Sequence, residues 1–199
     1  MSSRKDGLAV IGFETAEEWE DWLESEHDRC KGIWMKIAKQ GTGIASITKA
    51  EAVECALCFG WIDGQLDKLD ALYWLTRFTP RKPGGRWSEK NTKMAVRLME
   101  LGRIRPAGIV EIERAQADGR WDAAYASQGT ISVPEDFQVA LEQSSAACEL
   151  FKGLDSANRY AILYRLHHAK DAEKRQRLVS KFVDMLSQGQ TIHSRPGKR

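Results

Sequence analysis

The sequence predicts an α+β protein, with a small N-terminal α/β unit built on a short sheet followed by a C-terminal all-helical bundle. Three observations predict it. Residues 15–60 hold two helix-start signals around a stretch that alternates apolar and polar side chains. Residues 61–80 hold two more strand-like runs. From Ser88 onward, apolar residues recur at the helical period of about 3.6 and no further strand pattern follows. At 199 residues and 42% hydrophobic content, the chain is long enough to bury a core without disulfide or metal staples.

Taken in order, Thr15 followed by Glu18 is a capping box, because the hydroxyl and the carboxylate each satisfy a donor that a helix start leaves open. It opens TAEEWEDWLESEH, where Trp19, Trp22 and Leu23 form one apolar stripe. GIWMKIAKQG then alternates as a strand, with Trp34 facing away from Ile33 and Met35. Thr48 with Glu51 opens a second helix, whose buried face is Ala52, Val53, Ala56 and Leu57 and whose stop is Gly60. WIDGQLDKL and ALYWLTRFTP read as two strands joined by a turn around Leu69 and Asp70. Ser88 caps a helix ending at Gly102, and Pro106 opens another that Gly119 stops. Pro134, Ser144 to Ser145, Asp155 and Asp171 start four more, the last carrying Leu178, Phe182, Met185 and Leu186 on one face. The predicted division is an α+β unit over 1–86 and a helical region over 87–199, with its boundary in the Pro/Gly stretch 81–86.

Composition excludes several classes. A formal net charge of +2 is too small for a tight, sequence-blind nucleic-acid binder, so any electrostatic site is local. No run approaches the roughly 20 apolar residues of a membrane span, so no membrane insertion is expected. Four scattered cysteines without a secretory start point to free thiols and a cytoplasmic location. The basic tail SRPGKR reads as a frayed terminus.

The densest candidate chemistry lies in RFTPRKPGGRWSEKN, residues 77–91. Arg77, Arg81, Lys82 and Arg86 stand without an acid among them, and Pro and Gly hold the backbone irregular just before a helix start. A helix start exposes N–H groups and a partial positive charge, and guanidinium forks match phosphate or carboxylate oxygens. Trp61, Trp74 and Trp87 add flat rings suited to stacking. The expected arrangement has Arg77 and Arg81 reaching one groove floored by Trp61 or Trp87, with Asp63 and Asp67 orienting them. Thr79, Ser88 and Asn91 complete the predicted set. Core packing for the tryptophans and a solvated loop for the arginines is the plainer alternative.

Other features carry less. Cys55 and Cys58 form C-x-x-C, but they fall in the last turn before Gly60, where the helix dipole opposes a thiolate, so buried inert thiols are expected. Adjacent His167 and His168 diverge by about 100° on a helix and lack ligand partners, and no metal or cofactor is expected. The basic residues from Arg159 to Lys181 read as a solvated face. Neither a glycine-rich phosphate loop between strand and helix, nor G-x-S-x-G, nor H-E-x-x-H is recognised.

EAVECALCFGWIDG, RFTPRKPGGRWSEKN, LGRIRPAG and GRWDAAY, with a closing part from about Ala147 to Gly189 that includes H-A-K and K-R-x-R-L, resemble the YdeI/OmpD-associated, or bacteriocin-protection, family. The resemblance spans roughly residues 13–189 and identifies 147–189 as that family's C-terminal helical module. It implies a role in protection against bacteriocins or antimicrobial peptides and an association with a porin, and it brings no catalytic residues. Gly85 stands where the family pattern often has a small hydroxyl residue.

These readings converge on a protein that binds an anionic, phosphorylated or nucleotide-like ligand, with nucleic acid as an alternative ligand. The runner-up is an enzyme acting in the same groove, with Asp63 as general base and Arg81 as electrophile. The third is a helical platform for a protein partner.

Overall fold

The computed structural model describes residues 4–126 and 128–193, so the tail SRPGKR at 194–199 lies outside the described residues. The chain divides into two compact units, the first ending at Ala124 and the second beginning at Tyr125.

Among its described residues the first unit holds five strands, β1 (Arg4–Lys5), β2 (Leu8–Gly12), β3 (Ile33–Ala38), β4 (Trp61–Lys68) and β5 (Tyr73–Pro80), and four helices, α1 (Ala16–Glu26), α2 (Lys49–Cys58), α3 (Glu89–Glu100) and α4 (Pro106–Ala117). The sheet order is β1-β2-β3-β5-β4, with β2 parallel to β3 and the other pairs antiparallel. β4 is therefore an edge strand, and its register slips by one residue between Asp63 and Leu66, a β-bulge. The turn joining β4 to β5 is built on Asp70, whose Oδ1 accepts from the amides of Leu72 at 2.7 Å and Tyr73 at 2.8 Å. β1 and β2 are not among the predicted elements, because five residues of LAVIG are too few to show a period and gain their identity only by pairing with β3.

One face of the sheet carries Ile33, Met35, Ile37 and Phe78 against a core that also holds Trp19 and Leu23 of α1, the α2 face, Ala95 and Leu98 of α3, and Ile112 and Ala115 of α4. This corrects the predicted boundary. Residues 87–124 do not open a separate helical region, since α3 and α4 bury their apolar stripes in the same core as the strands. Trp34 and Leu75 lie on the opposite face, as alternation requires, and both are buried. The Lys5 ammonium stands 5.2 Å from the Trp34 ring centroid and donates to Asp67 Oδ2 at 2.5 Å.

The second unit contains α5 (Glu135–Glu142), α6 (Ser145–Lys152), α7 (Ser156–His167) and α8 (Ala172–Ser187) around Phe137, Leu141, Phe151, Ile162, Leu163, Leu166, Phe182 and Leu186. Ser144, Asp155 and Asp171 each cap their helix by accepting from the third residue onward, as predicted. Arg175 joins α8 to α5 through Asp136, and the Arg159 guanidinium lies 4.5 Å from the Phe151 ring centroid.

Candidate functional site

A cleft of about 300 Å³ opens in the first unit where four chain segments meet. The turn after α1 supplies His27, Asp28 and Cys30, and the α2–β4 corner supplies Phe59, Gly60 and Trp61. The end of β5 supplies Pro80 and Arg81, and α4 supplies Ala107 and Glu111. Close backbone approaches hold these segments together. Cys58 O accepts from Arg105 N at 2.9 Å, and a Cβ on Gly108 would lie 2.3 Å from that same carbonyl oxygen. Gly60 turns the chain at φ +72°, where an added Cβ would lie 2.9 Å from Ala107 O. Its carbonyl accepts from Arg81 N at 2.9 Å, which ties the end of β5 to the start of β4.

Arg81 is the best-buried cation of this region, 8% exposed, with its guanidinium 3.6 Å from the Trp87 ring centroid. Trp87 is itself buried and tilts against Trp121 at 5.0 Å. A guanidinium laid on an indole keeps its in-plane donors directed sideways, the geometry that receives an oxyanion. Across the cleft, α4 begins with Pro106 after Arg105, which makes no side-chain cap, so the first-turn amides are not closed by a hydroxyl or carboxylate. Glu111, one turn further, accepts from Arg114 at Oε1, while its Oε2 is shielded from solvent and receives no hydrogen bond.

The predicted site residues are thus distributed, not gathered. Arg81 and Trp61 line the cleft and Trp87 supports it, but Trp61 meets it from the core, its indole N–H donating to His27 O at 3.1 Å. Arg77 and Thr79 lie on the other face of β5, since Arg77 is opposite Trp34 in register, so Arg77 and Arg81 do not share a groove. Asp63 pairs with Lys49 at 3.0 Å and Asp67 with Lys5, so neither orients an arginine, and Asp63 stands outside the cleft it was expected to serve as a base. Lys82 and Arg86 are exposed, and Lys82 O closes a turn with Gly85 N. Ser88 Oγ accepts from Asn91 N at 3.2 Å, which makes both residues part of the α3 cap. A side chain on Gly85 would crowd Lys82 O at 2.9 Å, and Gly85 O accepts from Arg120 at 2.7 Å. The residues missed by sequence reasoning, His27, Asp28 and Cys30 from the turn after α1 and Ala107 and Glu111 from α4, come from segments distant in sequence, and the tight glycines 60 and 108 were the available signal.

A second hollow, of about 450 Å³, follows β3 and is lined by residues 37–49 and Trp74. Gly41 and Gly43, both at positive φ, lie in the loop between β3 and α2 there. It is unsuited to an anion. Glu51 Oε2 accepts from Thr48 N at 2.9 Å and from its hydroxyl at 2.7 Å, bonds that hold the Glu51 carboxyl below the usual carboxylate range and place a negative charge on the helix start.

Burial pushes the Cys55 thiol up to about 12 and the Cys58 thiol up to about 11, so both are inert at neutral pH. His167 and His168 contact the carbonyls of Ser132 and Tyr164 respectively. Among the described residues, no group of three His, Cys, Asp or Glu side chains is placed to hold a metal, and no helix is long and apolar enough to cross a membrane.

Fold and cleft define a two-unit protein of the α+β class with a small hollow in its sheet unit. Residues 11–111 match a family model described as a Domain of unknown function (DUF8412), and the chain belongs to that family. Residues 130–189 match the model described as Bacteriocin-protection, YdeI or OmpD-Associated, which shows the expected kinship for the helical unit. The segments 51–64, 77–91 and 101–108 that also suggested that kinship fall within the first match. No curated protein and no solved structure matches.

Proposed function

We propose that the first unit binds a small ligand by one anionic group, a carboxylate or a phosphoryl, held by Arg81 at the cleft between β5 and α4. The observation that supports it is a buried guanidinium, stacked on Trp87, in the wall of a cavity of metabolite size. The capacity is one such group. Lys82 and Arg86 stand in the exposed loop and Arg77 lies on the far sheet face, so the cationic cluster expected for a nucleotide polyphosphate is not assembled. In this reading the helical unit contributes to protection against bacteriocins or antimicrobial peptides, the role its family description names. Free thiols suit a cytoplasmic setting for that work.

The test is calorimetric titration of inorganic phosphate and small carboxylates into wild type, Arg81→Gln and Arg77→Gln. Arg81→Gln is expected to weaken binding by about tenfold or more, the scale of one charge-assisted hydrogen bond, whereas Arg77→Gln leaves it unchanged. Equal losses in the two variants, or no binding to wild type, would remove the proposal.

A further inference from the structure

The charges around the cleft do not suit an anion alone. Glu111 stands on one wall, 14% exposed in its side chain, and Asp28 is exposed at the rim. Each has a cationic neighbour, Arg114 for Glu111 and Arg29 at 3.8 Å for Asp28, yet a ligand carrying only negative charge still passes two carboxylates to reach Arg81, and like charges at short range in a partly dry site are costly. Glu111 has a further need. Arg114 serves its Oε1, but its Oε2 is withdrawn from water with no donor, and a buried acceptor left unpaired is unfavourable until something supplies a proton to it. Trp61, Phe59 and Ala107 between these groups give the cleft an apolar floor.

We propose that the cleft recognises a zwitterion of amino-acid type, its carboxylate at Arg81, its ammonium at Glu111 and its side chain over Phe59 and Trp61. This rests on the anion-binding reading above and adds a second arm to it. The ammonium supplies the donor that Oε2 lacks beside the Arg114 pair, which explains why one cleft carries both signs of charge. Inorganic phosphate fills only the Arg81 arm. Asp28, at the rim, screens entering ligands for a positive group without needing to touch them.

The experiment compares three probes on the full chain, L-leucine, N-acetyl-L-leucine and L-leucine amide, by isothermal titration, with inorganic phosphate as a reference anion. Free leucine is expected to bind about tenfold or more tighter than either blocked form, the worth of one charge-assisted hydrogen bond. Glu111→Gln should erase the advantage over the N-acetyl form by weakening leucine, while N-acetyl-leucine, relieved of a like charge, binds no more weakly than to wild type. Should Glu111→Gln fail to fold, Glu111→Asp and the three probes on wild type carry the same test. Equal binding of leucine and N-acetyl-leucine, or binding of phosphate but not of leucine, overturns the zwitterion and leaves the anion site standing. Absence of binding by every probe, phosphate included, overturns both.

Discussion

All seven tryptophans of the chain lie between residues 19 and 121, in the first unit, and the second unit has none. The difference follows from architecture. The sheet places β3 beside β5 and β5 beside β4, segments far apart in sequence, and the space between sheet and helices is filled by large rings, with Trp19 stacked on Trp22 at 5.2 Å and edge-on to Trp61 at 6.2 Å. The helical unit closes its core with Phe and Leu at helical spacing. Indole emission therefore reports the first unit alone, while far-UV dichroism is sensitive to both, and the contrast can be probed at each site.

The largest effect expected is chemical. At pH 8, Cys55, raised to about 12, should label with N-ethylmaleimide on the order of a thousandfold more slowly than an ordinary thiol, and Cys58, raised to about 11, on the order of a hundredfold more slowly. Mass spectrometry of the native protein should find labels at the half-buried Cys30 and Cys148, one in each unit, and the remaining two only as urea quenches the indole signal. Early labelling of all four would mean that the first unit opens readily. Next, Phe137→Ala removes a fully buried ring from the helical unit and should cost about 3–5 kcal/mol. Far-UV dichroism should melt early with tryptophan emission unmoved, and a coincident change in emission would break the two-unit division.

Gly108→Ala addresses the other side of the contrast. A methyl 2.3 Å from Cys58 O forces α2 and α4 apart, an expected loss of about 2 kcal/mol read as a lower urea midpoint by fluorescence. A gain, from the better helix propensity of alanine, would show that the approach is loose. The smallest effect belongs to Asp136, whose carboxyl is held below the usual range chiefly by its hydrogen bond to Arg175. A depressed carboxylate stabilises the fold above its unfolded pKa and loses that contribution as pH falls through its folded value. Asp136→Asn should thus cost at most about 1 kcal/mol at pH 7, given its exposure to solvent. Near pH 2 it should cost nothing, and a pH-independent difference would mean that the pair acts through packing.

What the sequence revealed follows the same contrast between local and distant. Helix starts were legible at Thr48, Ser88, Ser144, Asp155 and Asp171 because each cap joins residues three apart. The Thr15 box is a partial case: its hydroxyl accepts from Glu18 N, but the Glu18 carboxylate reaches Glu14 N instead of Thr15. The Pro/Gly stretch looked like a linker, but Arg120 binds Gly85 O and the following helix folds into the sheet core, contacts made by residues well downstream. Arg81 and Trp87 were visible as neighbours within one segment. Glu111, their counterpart across the cleft, was not, since nothing in a helical EIER pattern announces that one carboxylate oxygen will lack a donor.

The two borders of the sheet carry a consequence for the crowded cell. A strand with an open side invites addition of another chain. At one border β1 is only two residues long, and at the other the β4 bulge interrupts pairing beside Asp63, Asp67 and Lys68. Flat, regular templating is denied at both margins, so a sheet this rich in aromatic side chains is guarded against seeding fibrils.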